Sequence, residues 1–228
     1  MMAMGTTAET RNRKAKTQLC VYELRITLGD IRPPIWPLVQ VPDTLPLSRV
    51  HDAIQTVIGW TDSHLHRFKK DGKNRGVPEE DEGDGAETID DSRTTIGAVL
   101  TTPGDSMLYV YVYDYGDNRR HDVTLEKILP ALGMVRPVCL AGERHCPPED
   151  VGGVPGYAEF LEVIFEPGHE EYEPYVRWAG EPSPLNRSVG RFQPEEFNIM
   201  AVNDALSRMR WPSASTWNDR PVLSRNRF

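Results

Sequence analysis

The run Met107-Leu-Tyr-Val-Tyr-Val-Tyr-Asp-Tyr115, followed by Gly116-Asp-Asn118 and His121-Asp-Val-Thr-Leu125, decides the fold of this chain. Tyrosines alternate with aliphatic residues in the first run, which is typical of a strand that is covered on both faces. The middle residues have the composition of a tight turn, and the second run alternates again. The pattern therefore predicts a β-hairpin.

Other elements are expected on both sides of this hairpin. Residues 19–28 alternate like a half-buried strand, residues 38–41 extend beyond a proline-rich bend, and residues 126–132 predict a short helix or turn. Apolar residues at helical spacing predict helices over residues 47–58, 157–165 and 170–178, and a last helix that opens at residues 192–196. Asp43, Thr44 and Ser48 are the expected caps of the first helix, which ends before Gly59. Strands followed by helices indicate a single-domain α+β fold, with an antiparallel, hairpin-rich sheet and packed helices.

The expected domain spans residues 18–210. Residues 1–17 are polar, end in a basic run and predict a disordered tail, while residues 211–228 predict an extended tail. Residues 71–93 are rich in Asp, Glu and Gly and predict an acidic loop insert.

Composition limits the partners. The 228 residues carry a net charge of −8 with a pI near 5.3, which disfavours direct nucleic-acid binding except through the basic tails. The sequence shows neither an apolar run of membrane-spanning length nor a secretory leader. Three cysteines are too few for a disulfide framework in a chain of this size, so we expect a cytoplasmic protein.

Imidazole and carboxylate side chains concentrate in and around the hairpin. A set suited to acid–base or metal-assisted hydrolysis consists of His64, His66, Asp114, Asp117, His121, Glu149 and Asp150. The same residue types also stabilise turns and half-buried strand ends. The set leaves two hypotheses open, a metal-dependent hydrolase or nuclease and a structural hydrogen-bonding cluster.

A zinc site is a separate hypothesis. Thiolate and imidazole ligands favour zinc, and Cys139, Cys146 and His121 are the candidate ligands. The spacing differs from a paired CxxC array, so a reduced, partly buried cysteine pair is the alternative. Cys146 would need a lowered pKa to act as a nucleophile, and the following Pro-Pro-Glu-Asp-Val-Gly-Gly is typical of a rigid turn.

Aromatic residues offer binding anchors. Trp60, Tyr113 and Tyr115 are the candidate ligand contacts, since such side chains combine apolar bodies with polar tips; the alternative is that they belong to the core. Together with the rigid Cys/Pro/Gly loop they favour a non-enzymatic module that binds a peptide, protein or small ligand. The sequence does not decide whether the protein is an enzyme.

Several motifs in order resemble the plasmid ORF-3-like family, whose members also occur as passenger proteins of insertion elements. They are Tyr22-Glu-Leu-Arg-Ile, Ile31-Arg-Pro-Pro-Ile-Trp36, residues 54–66, Tyr113-Asp-Tyr-Gly-Asp with His121, Cys139-Leu-Ala-Gly, residues 146–157, Phe192-Gln-Pro-Glu-Glu-Phe and Val202-Asn203. The resemblance implies a single α+β domain of unestablished function, associated with mobile DNA. Some members carry a resolvase label, but neither a serine nucleophile among arginines nor a basic helix-turn-helix is evident here. Arg119 and Val151 replace a Trp and a third Cys that the resemblance leads one to expect, so a shared three-thiolate site would be incomplete.

Overall fold

The computed structural model describes residues 19–78, 88–112, 118–134, 136–180 and 192–211. Residues 1–18, 79–87, 113–117, 135, 181–191 and 212–228 lie outside the described residues, and they include the expected N-terminal tail, the centre of the acidic insert and most of the C-terminal tail. The expectations for these segments stay predictions.

A mixed sheet of eight strands forms the frame of the described residues. The strands are β1 (Cys20–Leu28), β2 (Trp36–Pro42), β3 (Leu65–Lys70), β4 (Lys73–Gly76), β5 (Thr88–Asp90), β6 (Ser106–Val112), β7 (Asn118–Pro130) and β8 (Val138–Glu143). Their order is β5-β4-β3-β6-β7-β1-β2-β8, and all neighbours are antiparallel except β4 and β5. The helices are α1 (Leu47–Ile58), α2 (Ile96–Val99), α3 (Gly153–Phe165), α4 (Tyr172–Ala179) and α5 (Ile199–Arg208). The predicted single α+β domain is confirmed.

The central hairpin is confirmed, and its second strand is longer than predicted. Tyr109 lies opposite His121 across β6 and β7, and both side chains are fully buried. The short helix or turn expected at residues 126–132 is wrong, because β7 continues to Pro130 and pairs along its length with β1. Hydrogen-bonded pairing with β1 outweighs the weak local preference of this segment for a helix or turn.

The predicted helix over residues 47–58 is α1, and its start is capped differently from the prediction. It follows Pro46 without a side-chain cap, so the expectation of caps from Asp43, Thr44 and Ser48 is wrong. Its end is as predicted, since Gly59 adopts a left-handed conformation with φ of 83° that suits glycine. The helix buries its apolar face in the common core.

The acidic insert and the last helix have other boundaries than the sequence predicts. The flanks of the acidic insert are ordered, because β4 and β5 pair in parallel and a 3-10 turn spans Asp91–Arg93. The last helix begins at Ile199 rather than at residues 192–196, and the side chain of Asn198 caps it by accepting from the Ala201 N–H. The residues before it serve another purpose, since the carbonyl of Pro194 accepts from the His145 N–H at 2.9 Å.

Helix α5 protects the edge of the sheet at β8. The Asn203 side chain accepts from the Cys139 N–H and donates to the Cys139 carbonyl, both at 2.8 Å, and so takes the place of a further strand. Cys139 therefore lies in a strand that is bonded on both sides. Among the described residues, no helix has the length and apolar character needed to cross a membrane.

Candidate functional site

Two loops meet above the central hairpin and form a polar surface that hydrogen bonds hold in place. Residues 60–64 follow α1, and residues 147–150 follow β8. The indole of Trp60 joins the loops, since its Nε1 donates to the Pro147 carbonyl at 2.9 Å and its ring stacks on Tyr111 at 5.2 Å. Trp60 is only 1% exposed, so the junction has a rigid base.

Glu149 is held by donors from both loops and from the sheet. Its Oε1 accepts from the Tyr111 hydroxyl at 2.8 Å. Its Oε2 accepts from the Thr61 N–H at 2.6 Å and from the Thr61 hydroxyl. Burial, and then the hydrogen bond to Glu149, raise the pKa of Tyr111 far above its ordinary value, so Tyr111 remains a donor.

His64 and Asp150 form a more exposed pair beside Glu149. His64 Nε2 lies 2.8 Å from Asp150 Oδ1, and their side chains are 22% and 57% exposed. The His64 N–H donates to the Tyr111 hydroxyl at 3.0 Å, and Asp150 has a left-handed φ of 64°. We call Thr61, His64, Glu149 and Asp150 the carboxylate rim. It unites three of the residues predicted from the sequence.

His66 belongs to a deeper cluster below the rim. Its ring stacks on His51 with centroids 3.6 Å apart, and its Nε2 lies 2.6 Å from Asp91 Oδ2. His51 Nε2 in turn lies 2.7 Å from Asp62 Oδ1. Burial above all, with the nearby His66 adding, lowers the pKa of His51, so its imidazole is neutral at physiological pH.

His121 lies in the core rather than at the rim. It is fully buried, and its ring meets Trp60 edge-on at 5.4 Å. Burial first, and Arg119 second, lower the pKa of His121 to about 3. A neutral imidazole without solvent access is poorly suited to exchange protons with a substrate.

The two predicted zinc-binding cysteines are buried thiols. Burial raises the pKa of Cys139 to about 11 and that of Cys146 to about 12. Both sulfurs therefore carry protons at neutral pH, which does not suit a nucleophile. In the part of the chain that the structure describes, potential ligands converge at His51, Asp52 and Asp62 rather than at Cys139, Cys146 and His121.

The remaining predicted site residues divide into two groups. Asp114, Asp117, Tyr113 and Tyr115 lie outside the described residues, and their roles stay predictions. Trp60 is inside the core, where it positions the two loops.

Sequence reasoning missed residues that organise the site. Thr61 and Tyr111 hold Glu149, while His51, Asp62 and Asp91 form the deeper cluster. The Thr-Asp-Ser run directly after Trp60, which has turn-forming composition, was the available signal for Thr61 and Asp62. His51 occupies a core position of a helix, where its spacing resembles that of any buried residue.

The fold and the site together define the class of protein: a single α+β domain with a polar rim built by two loops. The model of the family described as plasmid pRiA4b ORF-3-like protein matches residues 20–201, and the chain belongs to this family. The resemblance inferred from the motifs is thereby confirmed.

Two relatives extend the comparison. The chain is 39% identical over 160 residues to the uncharacterized protein y4hQ of Sinorhizobium fredii (strain NBRC 101917 / NGR234), covering 70% of this chain and 81% of that protein. It also resembles the crystal structure of a protein of unknown function, MM3350 from Methanosarcina mazei Go1, with 38% identity and a TM-score of 0.67. That similarity covers 82% of this chain and 98% of the other. The descriptions of both relatives leave their functions open.

Proposed function

We propose that the protein is a non-enzymatic binding module whose carboxylate rim binds a cationic group of a peptide, protein or small ligand. The observation that carries this proposal is the fixed position of Glu149, which accepts hydrogen bonds from Thr61 and Tyr111. The family match supports a plasmid setting, and the free thiols support a cytoplasmic location.

Preorganisation favours this function on energetic grounds. A carboxylate on a mobile side chain loses conformational freedom when it binds a ligand, whereas Glu149 is already oriented by its donors. Asp150 lies next in the chain and is 57% exposed, so a ligand ammonium or guanidinium group can reach a second carboxylate. Hydrogen bonds between ionised partners are the stronger kind.

The buried aromatics support the rim without contacting the ligand. Trp60, Tyr109 and Tyr111 are at most 1% exposed, so they fix the loops and exclude water from beneath them. The protonated thiols of Cys139 and Cys146 also favour binding over nucleophilic catalysis.

Isothermal titration with a short arginine-rich peptide, carried out at low and at physiological salt, tests the proposal. Glu149→Gln should weaken binding by about tenfold, because it removes one charge-assisted contact. Glu162→Gln removes the same charge from an exposed position of α3 and should change affinity by less than about twofold. Equal losses in both variants would show diffuse attraction to an acidic surface and would overturn the proposal.

A further inference from the structure

A second set of donors lies below the rim, where α1 meets the loop that follows it. One ligand atom from each of His51, Asp52 and Asp62 falls within 4.8 Å of the others. The His51 side chain is 1% exposed and that of Asp52 10%, while that of Asp62 is 29% exposed. The set therefore has a buried base and one side that is open to solvent.

A chain of hydrogen bonds fixes the orientation of the His51 ring. The Gln55 Oε1 accepts from the Asp62 N–H at 3.2 Å, so its Nε2 faces the Tyr109 hydroxyl and donates to it at 3.0 Å. The Tyr109 hydroxyl in turn meets His51 Nδ1 at 2.8 Å. Nδ1 is thus occupied from the protein interior, and Nε2 is directed towards Asp62. Metal-binding histidines are commonly held in this way through the ring nitrogen that does not bind the ion.

The backbone at Asp62 and the charges around the three donors also bear on cation binding. Asp62 has a left-handed φ of 59°, which turns its carboxylate back towards His51. Arg49 pairs with Asp52, so an incoming cation competes with the Arg49 guanidinium group for that carboxylate. His66 stacks on the His51 ring but points its Nε2 to Asp91, which leaves it outside the donor set.

We propose that His51, Asp52 and Asp62 bind a divalent first-row metal ion such as zinc, through Nε2 of the histidine and one oxygen of each carboxylate. One imidazole with two carboxylates is a donor set that suits zinc or manganese. The ion takes the place of the hydrogen between Nε2 and Asp62. The imidazole then carries its proton on Nδ1, and this N–H donates a hydrogen bond to the Tyr109 oxygen, since a hydroxyl group can accept as well as donate.

Calorimetric titration of chelator-treated protein with zinc chloride, together with thermal unfolding, tests this site. The wild-type protein should bind one ion and unfold at a higher temperature when zinc is present. Asp62→Asn should weaken zinc binding at least about tenfold, as expected when one anionic ligand is lost. Asparagine tolerates a left-handed backbone, so this variant should retain the fold, which its far-UV circular dichroism and chelator-treated melting curve would verify.

Further variants separate this site from the carboxylate rim. Asp52→Asn should also weaken zinc binding, whereas Glu149→Gln should leave it unchanged while reducing binding of the arginine-rich peptide. Absence of a zinc-binding heat in the wild type, or full retention of affinity in Asp62→Asn, would overturn the metal site. Loss of zinc affinity in Glu149→Gln alone would also overturn it, because the ion would then lie at the rim.

Discussion

The carboxylate rim contrasts with three buried residues, His121, Cys139 and Cys146, which we call the thiol core, although Glu149 and Asp150 of the rim follow Cys146 closely in the sequence. The structure gives them opposite properties. Glu149 and Asp150 lie at a partly exposed surface where donors hold them. The thiol core is closed to solvent, and burial keeps its groups in their neutral forms.

The difference shows that residue type alone does not make a site. Cysteine and histidine carry more reactive chemistry than a carboxylate, yet burial without a compensating charge favours their uncharged states. A carboxylate that accepts several hydrogen bonds at an open edge stays available to a ligand.

Removal of Trp60 should have the largest effect, because this residue connects the two regions. Trp60→Ala should lower the free energy of unfolding by about 4 kcal/mol, as is usual when a large buried aromatic is truncated. Urea denaturation measures the loss. Trp178→Ala, at a residue that is 37% exposed, is the control and should cost far less; similar losses would contradict the supporting role of Trp60.

The thiol core should make the fold sensitive to acid. The pKa of His121 is about 3 in the folded protein. It is about 6.5 in the unfolded chain, which therefore binds a proton first as the pH falls. The free energy of unfolding is therefore highest above pH 6.5 and falls as the pH is lowered towards 3. His121 alone should account for a fall of about 2 kcal/mol between pH 7.5 and pH 5.

Urea denaturation at several pH values tests this effect. His121→Phe should show a shallower decline in stability than the wild type over the same pH range. Some decline should remain, because burial also lowers the pKa of His51 and of His145. Identical slopes in the two proteins would count against a neutral, buried His121.

Tyr111→Phe should have a smaller effect that is specific to the rim. The hydroxyl donates to Glu149 and accepts from the His64 N–H, so its loss should cost about 1.5 kcal/mol. Tyr175→Phe on the half-buried face of α4 is the matched control. The affinity for the arginine-rich peptide should fall in Tyr111→Phe only. An equal fall in both variants would show that the hydrogen bond between Tyr111 and Glu149 does not support peptide binding.

Thiol labelling sharpens the comparison without a change in stability. With a pKa of about 12, only about one Cys146 thiol in ten thousand ionises at pH 8. Iodoacetamide should therefore modify half-buried Cys20 well before Cys139 and Cys146, and mass spectrometry identifies the modified residue. All three should react in denaturant. Fast labelling of Cys146 in the folded protein would contradict a closed thiol core.

Regular patterns in the sequence predicted much of the fold. Alternation identified β1 and the β6–β7 hairpin, and helical spacing identified α1, α3 and α4. The extension of β7 was missed because its preference for a strand comes from pairing with β1, which lies about a hundred residues away in the chain. The start of α5 was missed because Pro194 suits the first turn of a helix, whereas in the structure its carbonyl accepts a hydrogen bond from the His145 N–H.

The site was less predictable because it depends on distances between loops. The sequence identified His64, Glu149 and Asp150 by residue type, but their convergence depends on Trp60 and Tyr111 beneath them. Burial favours the neutral forms of Cys139, Cys146 and His121, and spacing in the sequence carries little information about burial depth.

Nuclear magnetic resonance mapping tests the carboxylate rim most directly. Isotope-labelled protein is titrated with Nα-acetyl-arginine amide, and Nα-acetyl-glutamine amide serves as the uncharged control. Saturable shifts should appear in the amides of Thr61, His64, Glu149 and Asp150 with the arginine compound, and Glu149→Gln should remove them. Shifts centred on Cys139 and Cys146, or equal shifts with both compounds, would contradict binding at the rim.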